Sequence, residues 1–300
     1  MGHWRSRSGI SAHGGASLIN MHRERFAPSP TGRLHLGHAY SALTVWDAAQ
    51  AAGRQFLLRI EDIDASRARP EFEAAIYDDL RWLGLSWPEP VLRQSDNLAA
   101  YATALDRLTT GGLTYPCTCT RRDILSAMDD PQEGGPDGPI YPGTCRAGAD
   151  PDKPQAIRLK MAEAIAMAGR LSFAEIGYGP DGETGQIPVD PDWLIQHAGD
   201  IVLARKDAPT SYHLSVVVDD AAQGITHVTR GEDLFSATPV HRLLQTLLGL
   251  PAPIYRHHGL IRDEAGRRLA KRADDKAISV FRDDGATPDD IRLMVGLQAR

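Results

Sequence analysis

Apolar positions in the first third of the chain follow two spacings, one typical of short buried strands and the other typical of amphipathic helices. Phe26 opens a short apolar run that stops at Pro28, and residues 56–60 form a second compact run. Apolar residues recur at helical spacing over 37–52 and over 70–83, and each of these stretches is followed by a glycine. The pattern therefore predicts strand, helix, strand and helix in this order.

The alternation returns in the last third of the chain after a break. A helix over 98–108 precedes the break, and the elements after it are strands over 201–203 and 226–229, a helix over 238–248, and a run over 212–220 that fits either state. Alternating strands and helices are typical of an α/β fold with a parallel, doubly wound sheet. Residues 116–199 lack the alternation, so we expect them to form an insertion between the two halves of the sheet.

This pattern also gives an expected division of the chain. Residues 1–20 contain serine, glycine and arginine, no acidic residue and no apolar stretch like that of a signal peptide, so we predict a flexible extension rather than a processed leader. The further segments are 21–115 and 200–255 for the two halves of the sheet domain, 116–199 for the insertion, and 256–300 for a basic loop region with a short C-terminal end.

Composition and charge exclude several classes of protein. Hydrophobic residues make up 42% and charged residues 24% of the 300 residues, which is typical of globular domains. Three cysteines do not suit a secreted disulfide framework, and no run approaches the roughly 20 apolar residues of a membrane span. The formal charge of −6 excludes a uniformly basic coat for nucleic acid but is compatible with a local cationic face. We expect a cytoplasmic monomer without a membrane partner.

The turn between the first strand and the first helix, residues 25–38, carries groups that suit phosphate. In an open α/β sheet, nucleotides bind at the carboxyl ends of strands, and a helix N-terminus presents free N–H groups. Gly32 and Gly37 allow close approach of the backbone to a ligand. His35 and His38 can face the same side as donors to phosphate oxygens. The alternative, two solvent-facing histidines, is disfavoured by the surrounding Pro-Ser-Pro-Thr-Gly.

The same turn carries a family signature. Residues 25–38 resemble the signature of class I aminoacyl-tRNA synthetases, in particular of their glutamyl branch. Further matches follow in family order at 58–64, 212–234 and 268–272. The resemblance spans about residues 25–272. It implies a Rossmann-like class I catalytic domain with an inserted zinc-containing subdomain, which makes glutamyl-adenylate from glutamate and ATP with Mg²⁺.

A site for glutamate has to hold two carboxylates and one ammonium group. Arg25 and Arg230 suit carboxylates, because a guanidinium group forms forked, charge-assisted hydrogen bonds. Glu61, at the end of a strand, suits the ammonium group, and Tyr212 can add an oriented hydroxyl. The alternative for Arg230 and Glu61 is a structural bridge between neighbouring strands. The resemblance implies glutamate-binding positions at Arg25, Phe26, Ala27, Pro28, Ser29, Glu61, Tyr212 and Arg230.

The match at 268–272 departs from the family pattern, which carries lysine first, serine in the middle and lysine fourth. This chain has Arg268, Ala270 and Lys271 at these positions. A lysine beside the triphosphate can follow charge onto pyrophosphate, whereas Ala270 lacks the hydroxyl contact. The alternative is a solvated basic loop that could also contact RNA phosphates. The resemblance implies catalytic roles for His35, His38 and Lys271. It implies ATP-binding positions at Gly32, His35, Gly37, His38, Arg268, Leu269, Ala270, Lys271 and Arg272.

All three cysteines lie in the predicted insertion, as Cys117, Cys119 and Cys145. Zinc binds thiolates in tetrahedral sets, and a metal would help to order this Gly- and Pro-rich stretch. No histidine lies between the first and last cysteine, and the resemblance assigns the fourth ligand to Tyr141. The alternative is three reduced, buried cysteines with the tyrosine in the core. We expect one Zn²⁺ per chain.

The number of residues after the last matched motif distinguishes the members of the glutamyl branch from one another. Only 28 residues follow Arg272, too few for the helical anticodon-reading domain of ordinary glutamyl-tRNA synthetases. The chain resembles the short paralogues, glutamyl-Q tRNA(Asp) synthetases, which transfer glutamate to the queuosine base in the anticodon of tRNA(Asp). The expected partners are therefore glutamate and tRNA(Asp) bearing queuosine. Two alternatives stay open: a truncated enzyme that charges tRNA(Glu), and a non-catalytic paralogue that binds an amino acid or tRNA as a regulator.

Overall fold

A seven-stranded sheet forms the centre of the computed structural model, which describes residues 22–127, 138–261 and 276–300. The strands are β1 Arg23–Phe26, β2 Gln55–Ile60, β3 Leu92–Arg93, β4 Thr114–Cys117, β5 Ala156–Leu159, β6 Ser172–Glu175, β7 Gly185–Pro188, β8 Val202–Ala204, β9 His227–Gly231 and β10 Ile254–His258. The helices are α1 Leu36–Ala51, α2 Pro70–Trp82, α3 Leu98–Thr110, α4 Arg121–Ser126, α5 Met161–Ala168, α6 Pro191–Trp193, α7 Tyr212–Ala222, α8 Thr238–Leu247, α9 Ile278–Asp283 and α10 Pro288–Met294.

The large sheet has the strand order β3-β2-β1-β9-β10-β6-β7. Its strands run parallel, except that β7 pairs antiparallel with β6 at the edge. Since the chain moves outward from β1 to one side and later resumes on the other side at β9, the order reverses at this point. Ligand crevices in such sheets form outside the carboxyl ends of the strands at the reversal. The predicted α/β, doubly wound fold is confirmed, with an antiparallel edge strand that the pattern did not predict.

A second, antiparallel sheet contains β4, β5 and β8. Sheet membership differs from the expected segments at two points. Strands β6 and β7 lie within the expected insertion, 116–199, and join the large sheet, whereas β8 lies beyond it and joins the small sheet. A strand of three or four residues has no local feature that specifies its partner, because the pairing contacts are distant in sequence. The domain boundaries themselves stay a prediction.

Most of the helices and strands predicted from the sequence are present in the structure, and two of them differ from the prediction. The stretch 212–220, which fitted either state, is the helix α7. Phe26 is the last residue of β1 rather than its first, because the strand includes the polar residues Glu24 and Arg25, both buried. A search for apolar runs overlooks a strand whose inward residues are charged and paired. Residues 1–20, expected to be a flexible extension, lie outside the described residues.

Small side chains bring helix α1 close to the sheet. Ala39, Ala42, Val45 and Ala49 are fully buried on the face of the helix that contacts β1, β2 and β9. Ile291 of α10 belongs to the same apolar cluster, so the C-terminal helices pack on this half of the sheet. Close packing of α1 fixes the position of its first turn relative to the strand ends. None of the helices that the structure describes is long and apolar enough to cross a membrane.

Candidate active site

An open cleft of about 640 Å³ lies at the carboxyl ends of the central strands, where the strand order reverses. It brings together residues that the sequence predicted from separate motifs: Arg25, Phe26, Ala27, Pro28, Ser29, His35, Gly37, His38, Glu61, Tyr212 and Arg230. Gly32 is the described candidate that does not line the cleft. The candidates Arg268, Leu269, Ala270, Lys271 and Arg272 lie outside the described residues.

The cleft is also lined by residues that were not predicted from the sequence as site residues. The additional lining residues are Tyr40, Ser41, Thr229, Gly231, Asp233, Leu234, His258, Gly259, Leu260 and Ile261. Residues 229–234 belong to a matched motif, and 258–261 start at the last residue of β10, so the rule of strand ends could have identified both groups. Ser41 lies one helical turn beyond Gly37 and hydrogen-bonds His258, with an Oγ to Nε2 distance of 3.2 Å.

His35 and His38 cap the first turn of α1. His35 is the N-cap residue, and its Nδ1 accepts the N–H of Gly37 at 3.1 Å. Nδ1 of His38 accepts the N–H of His35 at 3.2 Å, and the two rings lie 3.9 Å apart. The N–H of Gly37, one of the donors at the helix N-terminus, is therefore bonded to the His35 ring. Because both Nδ1 atoms are acceptors, each neutral ring carries its proton on Nε2, where it is a donor.

Two arginines and two carboxylates form a buried network beside the cleft. Arg25 donates Nε–H and Nη2–H to the two oxygens of Asp220, at 2.9 and 3.2 Å. Arg59, fully buried, donates to Asp220 at 2.7 Å and to Glu61 at 3.1 Å. Among the described residues, Glu61 thus forms its ion pair with Arg59 of the strand β2 that precedes it, and no ion pair links it to a neighbouring strand. The network holds Arg25 and Glu61 at the cleft in fixed orientations.

The two carboxyl groups of this network differ in how readily they ionise. Burial works against ionisation of Asp220, but Arg25 and Arg59 outweigh it and lower the pKa of that carboxyl group. Burial dominates at Glu61 and raises its pKa in spite of Arg59 and Arg25. A cationic ligand group beside Glu61 would stabilise its ionised form. The cleft thus offers a carboxyl group that favours binding of a cation.

Arg230 is a buried cation that hydrogen-bonds to neutral groups. Its guanidinium donates to Nε2 of His257 at 3.1 Å, to Nδ1 of His241 at 3.2 Å, to the hydroxyl of Thr238 at 2.8 Å and to that of Tyr212 at 3.4 Å. Within the described ranges, no carboxylate forms an ion pair with it. Arg230 does connect to the neighbouring strand β10 through His257, as the structural alternative expected, and it also lines the cleft. Such a cation suits an anionic ligand.

The described residues that flank 262–275, the range with the match at 268–272, lie at the cleft or beside the first motif. Ile261 lines the cleft. On the other side, Ala277 forms an antiparallel bridge with His35, and the N–H of Ile278 donates to the carbonyl of Leu34 at 2.9 Å. Ala277 and Ile278 are therefore fixed at the capped turn, whereas Ile261 lies at the cleft.

The three cysteines and Tyr141 meet at the end of the small sheet. All three cysteines are free thiols, and their sulfur atoms lie within 4.8 Å of one another. Sγ of Cys119 lies 3.5 Å from Sγ of Cys145 and 3.5 Å from the Tyr141 hydroxyl. That hydroxyl also accepts the N–H of Cys145 at 2.7 Å. The structure thus brings together Cys117, Cys119, Tyr141 and Cys145, and their role as zinc ligands stays a prediction.

The chemistry of this cluster fits zinc. Burial opposes ionisation of Cys145, yet hydrogen bonds from Tyr141 and the backbone of Thr118 lower the pKa of its thiol to about 6. Zinc binds thiolates, so a thiol that ionises readily is a suitable ligand. The guanidinium of Arg158 lies 3.8 Å from the centre of the Tyr141 ring and fixes its position. Three sulfur atoms and one oxygen give the number of donors that a tetrahedral site requires.

Comparisons with known proteins agree with the geometry. The family described as tRNA synthetases class I (E and Q), catalytic domain, matches residues 22–298. A protein of Rhodobacter capsulatus named glutamyl-Q tRNA(Asp) synthetase is 56% identical over 278 residues, which cover 91% of this chain and 99% of that protein. One of the same name from Deinococcus radiodurans is 42% identical over 267 residues, covering 88% and 84%.

Solved structures give the same result. A glutamate tRNA ligase from Elizabethkingia meningosepticum, crystallised in complex with its amino acid, has a TM-score of 0.72 and 26% identity, covering 92% of this chain and 60% of that one. A glutamate-tRNA synthetase from Elizabethkingia anophelis has a TM-score of 0.73, also with 26% identity, and covers 92% and 61%. The chain thus spans about 60% of the length of these two synthetases. The resemblance inferred from the motifs is confirmed, and the chain belongs to the class I tRNA synthetases for glutamate and glutamine, with the match over their catalytic domain.

Proposed function

We propose that this chain activates glutamate with ATP to glutamyl-adenylate and transfers the glutamate to the queuosine base in the anticodon of tRNA(Asp). The observation that carries the proposal is the match at 56% identity over 99% of a protein named glutamyl-Q tRNA(Asp) synthetase. Other relatives, at 39–42% identity, have the same name. The charges in the cleft support the choice of amino acid, and the names of the relatives support the choice of acceptor.

In this proposal different side chains of the cleft recognise different groups of glutamate. Arg230 binds the side-chain carboxylate, because it is a buried cation with no carboxylate partner among the described residues. Glu61 accepts the ammonium group, and Arg25 binds the α-carboxylate with the part of its guanidinium that Asp220 does not occupy. Tyr212 adds a hydroxyl, and residues 26–29 form the wall of the cleft beside the substrate.

The first chemical step forms a bond between a carboxylate oxygen of glutamate and the α-phosphorus of ATP, and pyrophosphate leaves. His35 and His38 donate from Nε2 to phosphate oxygens as charge builds on them, and the α1 N-terminus beside Gly37 favours the same charge. Mg²⁺, when bound to ATP, neutralises part of the triphosphate charge. Lys271 and the rest of 268–272 act at the leaving pyrophosphate. This role is supported by the flanking residues, since Ile261 lines the cleft and Ala277 pairs with His35.

In the second step a hydroxyl of queuosine attacks the activated carbonyl carbon, and AMP leaves. Queuosine carries a cyclopentene ring with vicinal hydroxyls, which resembles the ribose diol that ordinary synthetases acylate. The same adenylate can therefore react with either kind of diol without new catalytic residues. The choice between them depends on which part of a tRNA the protein brings to the cleft.

We also propose that one Zn²⁺ is bound by Cys117, Cys119, Tyr141 and Cys145. The ion would hold the turn at Thr144–Ala147 against the end of β4, since these residues supply ligands from both sides. Its part is structural and lies outside the adenylate chemistry. Cytoplasmic localisation and a monomeric state belong to the same proposal, and sedimentation of the purified protein tests the latter.

Glutamate-dependent exchange of labelled pyrophosphate into ATP tests the activation step. The proposal predicts exchange with glutamate, less with glutamine or aspartate, and no requirement for tRNA. No exchange with any amino acid would identify a non-catalytic binder. Exchange that depends on tRNA(Glu), followed by labelling of tRNA(Glu), would identify a charging enzyme instead.

A further inference from the structure

A buried carboxylate lies behind Arg230 and contacts it through a histidine. Glu175, at the end of β6, is 1% exposed. Its Oε2 lies 2.6 Å from Nδ1 of His257, and its Oε1 accepts the N–H groups of His257 at 2.9 Å and Gly177 at 2.7 Å. Neither Glu175 nor His257 lines the cleft. The pair is therefore available to orient Arg230 without contacting a substrate.

The hydrogen bonds determine where His257 carries its proton. A carboxylate is an acceptor only, so Nδ1 of His257 has to be the donor to Glu175. Nε2 then has a free lone pair, and it accepts Nε–H of Arg230 at 3.1 Å. The opposite tautomer would place two N–H groups against each other at Arg230. Glu175 thus selects the only neutral form of the ring that can accept from this arginine.

The chain after β6 packs closely enough against β10 for Glu175 to reach His257. A Cβ atom on Gly177 would lie 2.2 Å from the carbonyl oxygen of His257, so the chain after β6 approaches β10 more closely than a side chain would permit. Phe235 packs edge-on against the His257 ring, with 5.0 Å between ring centres. The contact with Phe235 restrains the His257 ring in addition to its hydrogen bonds.

A second histidine holds the opposite edge of the guanidinium. Nδ1 of His241 accepts from Nη1 of Arg230 at 3.2 Å, and its Nε2 lies 3.0 Å from Nδ1 of His213. As His241 accepts at Nδ1, its proton lies on Nε2 and is donated to His213. Arg230 is therefore held from two sides by rings that accept from it and carry no charge of their own.

We propose that Glu175 is a positioning residue, which fixes the His257 tautomer and thereby holds Arg230 in the orientation that binds the substrate carboxylate. This inference rests on the proposed function. A carboxylate paired directly with Arg230 would compete with the substrate for the same N–H groups. A carboxylate behind a histidine supplies the negative charge that a buried cation needs and leaves the cleft side of the guanidinium accessible.

The substitution Glu175→Gln tests the proposal with little change in shape. Its amide oxygen can still accept both backbone N–H groups, so we expect the fold to persist. Its NH₂ group is a donor toward Nδ1 of His257, which selects the opposite tautomer and removes the acceptor at Arg230. The loss of a hydrogen bond to a charged group predicts a rise of about ten- to a hundredfold in KM for glutamate, with KM for ATP changed less than about twofold.

Glu183→Gln is the matched control, because Glu183 lies in the same β6–β7 hairpin and also accepts a backbone N–H, from Asp181 at 2.9 Å. It should leave both KM values unchanged. A loss that is equal for glutamate and ATP in Glu175→Gln, or a normal KM for glutamate, would overturn the positioning role. Absence of glutamate activation in the wild-type protein would instead contradict the proposed function.

Nitrogen-15 NMR of the histidine rings tests the same inference without an activity assay. The signal of His257, assigned by its loss in His257→Gln, should show the Nδ1–H tautomer in the wild-type protein and the Nε2–H tautomer in Glu175→Gln. A wild-type ring protonated at Nε2 alone would contradict the proposal, even if Glu175→Gln failed to fold.

Discussion

Arg25 and Asp220 form a two-point ion pair that joins strand β1 to helix α7, which lie far apart in the sequence and on opposite halves of the sheet. Asp220 also accepts from Arg59 at 2.7 Å. Both members of the pair are buried. The same contact that holds the two halves together therefore also orients an arginine that faces the cleft.

Replacing Asp220 by Asn should destabilise the protein strongly. Arg25 and Arg59 would lose their shared counter-charge inside the protein, and breaking a buried pair by removing one partner costs about 3–5 kcal/mol. Urea unfolding gives the free energy of unfolding. The matched control is Asp207→Asn in the exposed pair with Arg205, where we expect a loss of about 0–1 kcal/mol.

The loss of stability caused by Asp220→Asn should become smaller as the pH falls. The pKa of Asp220 is lowered in the folded protein, because Arg25 and Arg59 outweigh the effect of burial. Its ionised form thus contributes stability above the ordinary aspartate pKa of about 3.9, and this contribution is lost as the pH falls through the lower folded value. The difference between variant and wild type should shrink from pH 7 toward pH 3. A constant difference over this range would contradict the assignment.

Replacing Arg230 by Leu should abolish the use of glutamate and spare ATP. A substrate carboxylate left unpaired in a buried site loses the compensation for its desolvation, so we expect KM for glutamate to rise about a hundredfold or more. Arg230→Lys should also be poor, because lysine cannot form a forked pair. Steady-state pyrophosphate exchange and equilibrium ATP binding measure the two effects. A normal KM for glutamate in either variant would make Arg230 a structural residue.

His35→Ala or His38→Ala should lower the rate of adenylate formation more than the affinity for glutamate. Loss of one oriented donor typically costs ~10²–10³ in rate. His35→Ala should in addition lower stability by about 1 kcal/mol, because the ring caps α1. His197→Ala removes an exposed histidine outside the cleft and should leave the rate unchanged. Wild-type exchange in both cleft variants would contradict the assignment.

The purified protein should contain about one zinc ion per chain. Cys117→Ser and Cys145→Ser should lose the metal, since a tetrahedral site has no spare ligand. Tyr141→Phe should weaken zinc binding, whereas Tyr178→Phe, which alters a tyrosine that is 70% exposed, should not. Elemental analysis of protein prepared without chelator checks the stoichiometry. If Tyr141→Phe retained zinc at full stoichiometry, the assignment of Tyr141 as the fourth ligand would be wrong, while the three cysteine ligands would stand. Absence of zinc in the wild-type protein would contradict the whole site.

The sequence was sufficient to predict the α/β alternation and the position of the cleft at the strand ends, because both follow from local patterns. The elements flanking residues 25–38 have strong periodicity, and the rule that ligands bind at strand ends brings the first turn, Glu61 and Arg230 together without a structure. The pattern did not determine whether α7 is a helix or a strand. Seven of its residues are buried, including His213, Asp219 and Asp220, so its apolar and polar positions show no clear period.

The supporting network could not be predicted from the sequence. Glu175 lies in a range that lacked alternation, and its partner His257 is 82 residues away. Asp220 and Arg59 contact each other across 161 residues. Contacts of this kind depend on strand order, which short strands do not encode locally. The predicted residues that line the cleft lie in recognisable motifs, as do Arg59 and Asp220, but the motifs do not show which of these residues pair, and Glu175 and His257 lie outside them.

Transfer of radiolabelled glutamate to tRNA(Asp), with and without queuosine, tests the central proposal most directly. The labelled tRNA is cleaved, and the fragment that carries glutamate is identified as the anticodon or the 3′ end. We predict label in the anticodon fragment of queuosine-bearing tRNA(Asp) and none on tRNA(Asp) that lacks queuosine. Equal labelling of both, or label at the 3′ end, would contradict the account and indicate an ordinary charging synthetase.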